Sequence, residues 1–236
     1  MIRFVLLFVF FTTAYAECTQ SGGTLTIDDI GIISAFDITT CTSYDAAALQ
    51  HVIVSQATEI SVDNFCKDVT TIQSFTANNL ETISGSSFLR GTTALTSASF
   101  PALTSVSGHL LLMQASALTS VSFPELTTVS GEGVLWQVSA LTSASFPKLT
   151  TVGPSFLKTA GSLTSVSFPV LVTAGDYFLR DTHATIAVSF PALQNAGKQL
   201  LYPNLGAVIQ AQSAGATIAD FDCSELKGEY NGKCSC

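Results

Sequence analysis

Five copies of Ser-Phe-Pro, centred on Phe100, Phe123, Phe146, Phe168 and Phe190, recur at steps of 23, 23, 22 and 22 residues. A fixed period of that length marks a stacked repeat, because one such unit is too short to enclose a core of its own. Superimposing the copies gives aligned apolar columns. The first runs Leu95, Leu118, Leu141 and Leu163, with Thr185 as its odd member, and the next holds Ala98, Val121, Ala144, Val166 and Val188. After the phenylalanines come Leu103, Leu126, Leu149, Leu171 and Leu193, then Val106, Val129, Val152, Ala174 and Ala196. The last column is Leu112, Leu135, Leu157, Leu179 and Leu201, and a degenerate earlier copy supplies Ile72, Phe75, Leu80, Ile83, Phe88 and Leu89.

Within Leu-Thr-Ser-Val-Ser-Phe-Pro, apolar residues alternate with hydroxyls, the pattern of a short strand with one face on a core. Proline lacks a donor N–H and is tolerated at a strand's end but not its middle, so it closes that strand. Gly108, Gly131, Gly153, Gly175 and Gly197 mark a second corner. Stacked coils turn each column into a ladder along one axis. With about six apolar side chains per coil, each contributing ~1.5–3 kcal/mol on burial, such a stack has an adequate core. The predicted fold class is a mainly β solenoid of 22–23-residue repeats with irregular turns.

The run Leu-Thr-Ser-Val-Ser-Phe-Pro-x-Leu-Thr-x-Val-x-Gly is followed by Phe-Leu, as at Phe88-Leu89 and Phe178-Leu179. Over roughly residues 60–205 it resembles BspA-type leucine-rich repeats, and it is similar to the receptor-L-domain-like repeats of fungal wall proteins. It lacks the cysteine common in the first family and the asparagine ladder of the second. The resemblance implies a right-handed leucine-rich solenoid and a role in surface adhesion or recognition rather than catalysis.

Residues 1–16 read as a secretory signal peptide: a basic start at Arg3, an unbroken apolar run from Phe4 to Phe11, and Ala14-Tyr15-Ala16 as a small-x-small cleavage site. The expected organisation is then an N-terminal cap over 17–59, a solenoid over 60–205 and a C-terminal cap over 206–236. No later apolar stretch is long enough to span a bilayer, and the polar C-terminus lacks a GPI signal, so no membrane insertion is expected. Loss of Arg3 leaves eight basic residues against seventeen acidic ones, a formal charge of −9. That balance argues against nucleic acid and anionic lipid as partners, both of which need basic patches. Ser and Thr make up roughly a quarter of the chain, while Asn-x-Ser/Thr sequons are absent, so any attached sugar is expected to be O-linked.

Cys18, Cys41 and Cys66 lie near one end of the repeat array, and Cys223, Cys234 and Cys236 near the other. In an exported chain they should form disulfides. Six coils at ~4.8 Å separate the ends by ~25–30 Å, whereas bridged Cα atoms lie within ~7 Å, so each end pairs internally. Cys66 precedes Leu89, Leu112 and Leu135 in steps of 23, which places it in the core leucine column as a buried residue without a partner. Cys18–Cys41 then closes the N-terminal cap. Cys223 pairs with Cys234 or Cys236, leaving one thiol free or available to link a homodimer.

Signals of catalysis are thin. His51, His109 and His183 fall in no triad-like or metal-spaced context, Asp28, Asp29, Asp176 and Asp181 are too sparse for a calcium loop, and Asp45 and Glu59 have no placed carboxylate partner. Phosphate-loop, nucleophile-elbow and zinc signatures do not occur, so neither an enzyme nor a cofactor or metal site is expected.

Two surface features remain. One is an outward hydroxyl face: Thr96, Ser97 and Ser99; Thr119, Ser120 and Ser122; Thr142, Ser143 and Ser145; Thr164, Ser165 and Ser167. Such an array suits a solvated parallel sheet, and it also suits an ordered lattice such as ice or a polysaccharide. The other is the column that follows the core leucine: Arg90, Met113, Trp136, Lys158, Arg180 and Tyr202. Arg, Trp and Tyr are enriched at binding hot spots, and long stems also cover loop corners. The reading reached is an exported, non-enzymatic binding or adhesion protein that recognises a glycan or protein surface through this edge or the hydroxyl face. The alternatives are a structural component of a wall, cyst or matrix and, less prominently, an ice-binding protein.

Overall fold

The computed structural model describes residues 18–28, 31–36, 38–183 and 186–202. Each coil has three walls. The strands of the first wall carry the Ser-x-Ser segments. Cys18–Ser21 pairs antiparallel with Thr24–Ile27, which is followed in parallel by His51–Val54, Ser74–Ala77, Ser97–Ser99 and Ser120–Ser122. A three-stranded continuation holds Ser143–Ser145, Ser165–Ser167 and Ala187–Ser189. The second wall is one parallel sheet of eight strands: Gly31–Ile33, Ala57–Ile60, Thr82–Ile83, Ser105–Val106, Thr128–Val129, Thr151–Val152, Thr173–Ala174 and Asn195–Ala196. In-register parallel pairing therefore begins at Thr24, opposite His51.

The strand register follows the repeat. Ser120, Val121 and Ser122 pair with Ser97, Ala98 and Ser99, so equivalent residues of successive coils stack. Period-2 alternation then sends the serines out and the small apolar residue in. The five Phe rings after this strand, with Phe75 before them, form a buried file whose successive centroids lie 5.3, 5.1, 6.1, 5.1 and 5.8 Å apart. The leucine columns are fully buried throughout the described coils. Cys66 is buried without a disulfide partner, in line with the leucine register.

The first wall breaks between Ser120–Ser122 and Ser143–Ser145 while the second wall continues unbroken. The break coincides with a change in coil length. Ser107 and Ser130 each precede a corner glycine, but Val152 runs directly into Gly153. At this seam Val121 and Ala144 are only partly buried, whereas Ala98, Val166 and Val188 in the same column are buried.

The third wall is neither strand nor helix. It alternates right- and left-handed backbone: Leu110, Leu112 and Gln114 have φ of 61°, 56° and 63°, and the pattern recurs from coil to coil. Left-handed backbone costs about 1–3 kcal/mol for a residue with a Cβ, so neighbouring coils must over-determine it. They do so by hydrogen bonding in both directions. Leu110 N–H donates to Glu132 C=O (2.8 Å) and Gln114 N–H to Trp136 C=O (2.8 Å) of the next coil, while Leu112 N–H donates to Phe88 C=O (2.9 Å) of the preceding one. Each left-handed residue turns its amide along the solenoid axis, and the buried leucine follows from that geometry.

At the N-terminal end Cys18 and Cys41 form a disulfide with a Cα–Cα distance of 4.9 Å, the pairing expected for that end. Cys223, Cys234 and Cys236 lie outside the described residues. So do the leader-like residues 1–16 and the segment expected to form the C-terminal cap.

Candidate functional site

The column after the core leucine lies on the third wall, where the leucine turns inward and its neighbour turns out. Cys66 holds the leucine position, so the column begins one coil earlier than Arg90, at Lys67. Extending the Cys66 register by one residue would have found it in the sequence. Lys67, Arg90, Trp136, Lys158, Arg180 and Tyr202 are all partly exposed, and Met113 is buried at 8%. Their spacing is that of the coils, so Lys67 to Tyr202 spans ~29 Å along the axis.

Part of this column forms a continuous stack. Lys158 Nζ lies 4.6 Å from the Trp136 ring centroid and 5.1 Å from that of Tyr177. The Arg180 guanidinium lies 5.3 Å from Tyr177 and 5.6 Å from Tyr202. Cations and aromatic rings thus alternate from Trp136 to Tyr202, each cation held between two rings. Tyr177 comes from the left-handed position two residues before the core leucine, a different column, so the repeat alignment alone did not place it here. The Lys158 ammonium covers one face of Trp136, and Leu110 and Gly133 crowd its neighbourhood. Arg180 also approaches Asp181, Nε to Oδ2 3.3 Å.

No protein-family model and no curated protein matches the chain. Solved structures do. A leucine-rich repeat protein of T. pallidum (TpLRR) aligns at 13% identity with a TM-score of 0.56, covering 91% of this chain and 94% of that one. A leucine-rich repeat protein from Bacteroides ovatus ATCC 8483 aligns at 15% identity and TM-score 0.53, over 81% of this chain and 62% of that one. The fold is a leucine-rich-repeat solenoid.

The solenoid's hydroxyl face has a division of labour inside it. Ser97, Ser120, Ser122, Ser143, Ser145, Ser165 and Ser167 are exposed and Ser99 partly so. Three of the four threonines beside them are engaged within the solenoid. Thr96 Oγ1 donates to Gln73 C=O (3.0 Å), Thr119 Oγ1 to Thr96 C=O (3.1 Å) and Thr164 Oγ1 to Thr142 C=O (3.1 Å). The second wall repeats the device with Thr104, Thr127 and Thr150. These hydroxyls therefore fasten one coil to the next.

Two of the histidines link coils too. His51 Nδ1 is 2.8 Å from Ser74 Oγ, and His109 Nδ1 accepts from Glu132 N–H at 3.0 Å. One file of corner residues works this way, since Asp63 accepts from Ser86 N–H and Asp176 from Lys198 N–H. Among the described residues no group of His, Cys, Asp and Glu is placed to hold a metal ion. No helix among them is long and apolar enough to cross a membrane.

Proposed function

We propose that the chain is a non-enzymatic binding or adhesion protein working outside the cell, and that it engages its partner through the third-wall edge carrying Arg90, Met113, Trp136, Lys158, Arg180 and Tyr202. The observation that carries this reading is the alternating stack Trp136–Lys158–Tyr177–Arg180–Tyr202. Held between rings, each cation has fewer rotamers to lose on binding, so it loses less entropy there than a free lysine or arginine. The leucine-rich-repeat fold supports the reading, because a solenoid presents such edges at fixed spacing. Export rests on the leader-like residues 1–16 and accords with the Cys18–Cys41 disulfide.

The test is binding of Trp136→Ala and Arg180→Ala variants to a glycan array and to intact cells, beside the unaltered protein. The reading expects both variants to lose most of the binding while retaining a cooperative thermal transition. Unaltered binding by both would show the edge to be packing alone.

A further inference from the structure

We propose that the third-wall edge binds a linear anionic glycan, an extended chain bearing carboxylate or sulfate groups at regular intervals. This rests on the reading above that the edge is the binding surface, and it names the ligand.

The first support is charge segregation. The chain carries 17 acidic residues against 9 basic ones, yet four of the six lysines and arginines within the described residues, Lys67, Arg90, Lys158 and Arg180, stand in one column. Among the described residues the ion pairs are Lys148–Glu125 and Arg180–Asp181. Lys67, Arg90 and Lys158 therefore face solvent without a carboxylate at ion-pair distance. The flanking columns reinforce this. The one from Asn64 to Gln199 holds no charged residue. In the other, Gly91, Gln114, Gln137 and Thr159 are neutral and the acids Asp68 and Asp181 occupy only the two ends. Elsewhere the surface is acidic, but screening over ~8 Å at physiological ionic strength confines the field that a bound ligand feels to its own neighbours.

The second support is shape. The column is one side chain wide and ~29 Å long, which suits an extended polymer lying along the axis. A protein partner needs about 800 Å² of matched surface, far more than one row supplies. The third is how the aromatic rings are used. One face of Trp136 is occupied by Lys158, and Tyr177 carries two cations. Rings engaged in this way position cations for anionic groups more readily than they offer a bare face to a neutral sugar.

The experiment is calorimetric titration of the full chain with a polygalacturonate fragment and with its fully methyl-esterified, uncharged counterpart. Dextran sulfate and dextran form a second pair that separates sulfate from carboxylate. The expected result is binding to at least one anionic member, about tenfold or more tighter than to its neutral partner, and weakening steeply as NaCl rises from about 50 to about 300 mM. Lys158→Gln with Arg180→Gln should weaken that binding by about tenfold, with Lys158→Arg retaining it and Lys148→Gln, which lies off the edge, leaving it unchanged. Far-UV circular dichroism and a cooperative urea transition confirm that each variant is folded. Equal binding of charged and neutral partners, no binding of either anion, or equal loss in Lys148→Gln overturns the proposal. If the edge variants still abolish capture of a neutral glycan or a protein, the binding edge stands and only the anionic ligand is wrong.

Discussion

Lys158 Nζ stands 4.6 Å from the Trp136 ring centroid, so a cation of one coil covers the indole of the coil before it. Trp136 is the only tryptophan in the chain, which makes its emission a direct report of this contact. Lys158→Met keeps the aliphatic stem and removes the charge. A partly exposed cation–π pair contributes about 0.5–1 kcal/mol, and Lys158 makes two. The variant should unfold in urea with a loss on the order of 1 kcal/mol and show altered native Trp136 emission. Unchanged emission and midpoint together would contradict the stack.

Gly108 and Gly131 sit where successive coils touch through their backbones. A Cβ on Gly131 would overlap the carbonyl oxygen of Gly108, and one on Gly108 that of Gly85. Backbone cannot move aside as a flexible side chain does, so alanine at either position must push two coils apart. Overpacking of this kind costs about 1–3 kcal/mol or more. Gly161 supplies the control: a Cβ there meets nothing within 4 Å, and its φ is not positive. Gly161→Ala should be neutral or stabilising by about 0.4–1 kcal/mol. Urea unfolding of the three variants checks the contrast.

The repeat made most of this architecture legible. The Phe file and the leucine columns follow from spacing alone, and Cys66 could be assigned to the core because it kept the 23-residue step. The third wall was not legible. Left-handed backbone is ordinarily read from Gly or Asn, yet Leu112, Leu135 and Leu157 adopt it with φ of 56°, 58° and 55°. Hydrogen bonds to both neighbouring coils impose that conformation, and such bonds exist only once the coils have stacked. The site followed the same division. Trp136, Lys158 and Arg180 shared a visible column, whereas Tyr177 joined them from another column through a corner that sequence spacing does not describe.

Burial raises the Cys66 thiol's pKa far above its ordinary value. The thiolate is the reactive form, so Cys66 should resist iodoacetamide in the native protein and react once unfolded. Peptide mass spectrometry after alkylation with and without urea checks this. Native labelling of Cys66 as fast as a free thiol would contradict its place in the core.

The Cys18–Cys41 disulfide closes a loop with a sequence separation of 23. In the chain-entropy description a loop of that size contributes about 3 kcal/mol. Replacing both cysteines with alanine should therefore loosen the first coils, and hydrogen exchange should rise over Thr24–Ile27 and His51–Val54 before it rises over Ser120–Ser122. Uniform exchange along the array would contradict a local cap.

The most direct test compares the two exposed surfaces in one assay. A Trp136→Ala/Arg180→Ala double variant disables the edge, and a Ser120→Lys/Ser143→Lys double variant places charges on the hydroxyl face. Both are applied to the same glycan array and cell surface as the unaltered protein. Loss of binding in the edge variant with retention in the face variant is the result predicted here. Retention in the edge variant with loss in the face variant would contradict it and move the binding surface to the serine sheet.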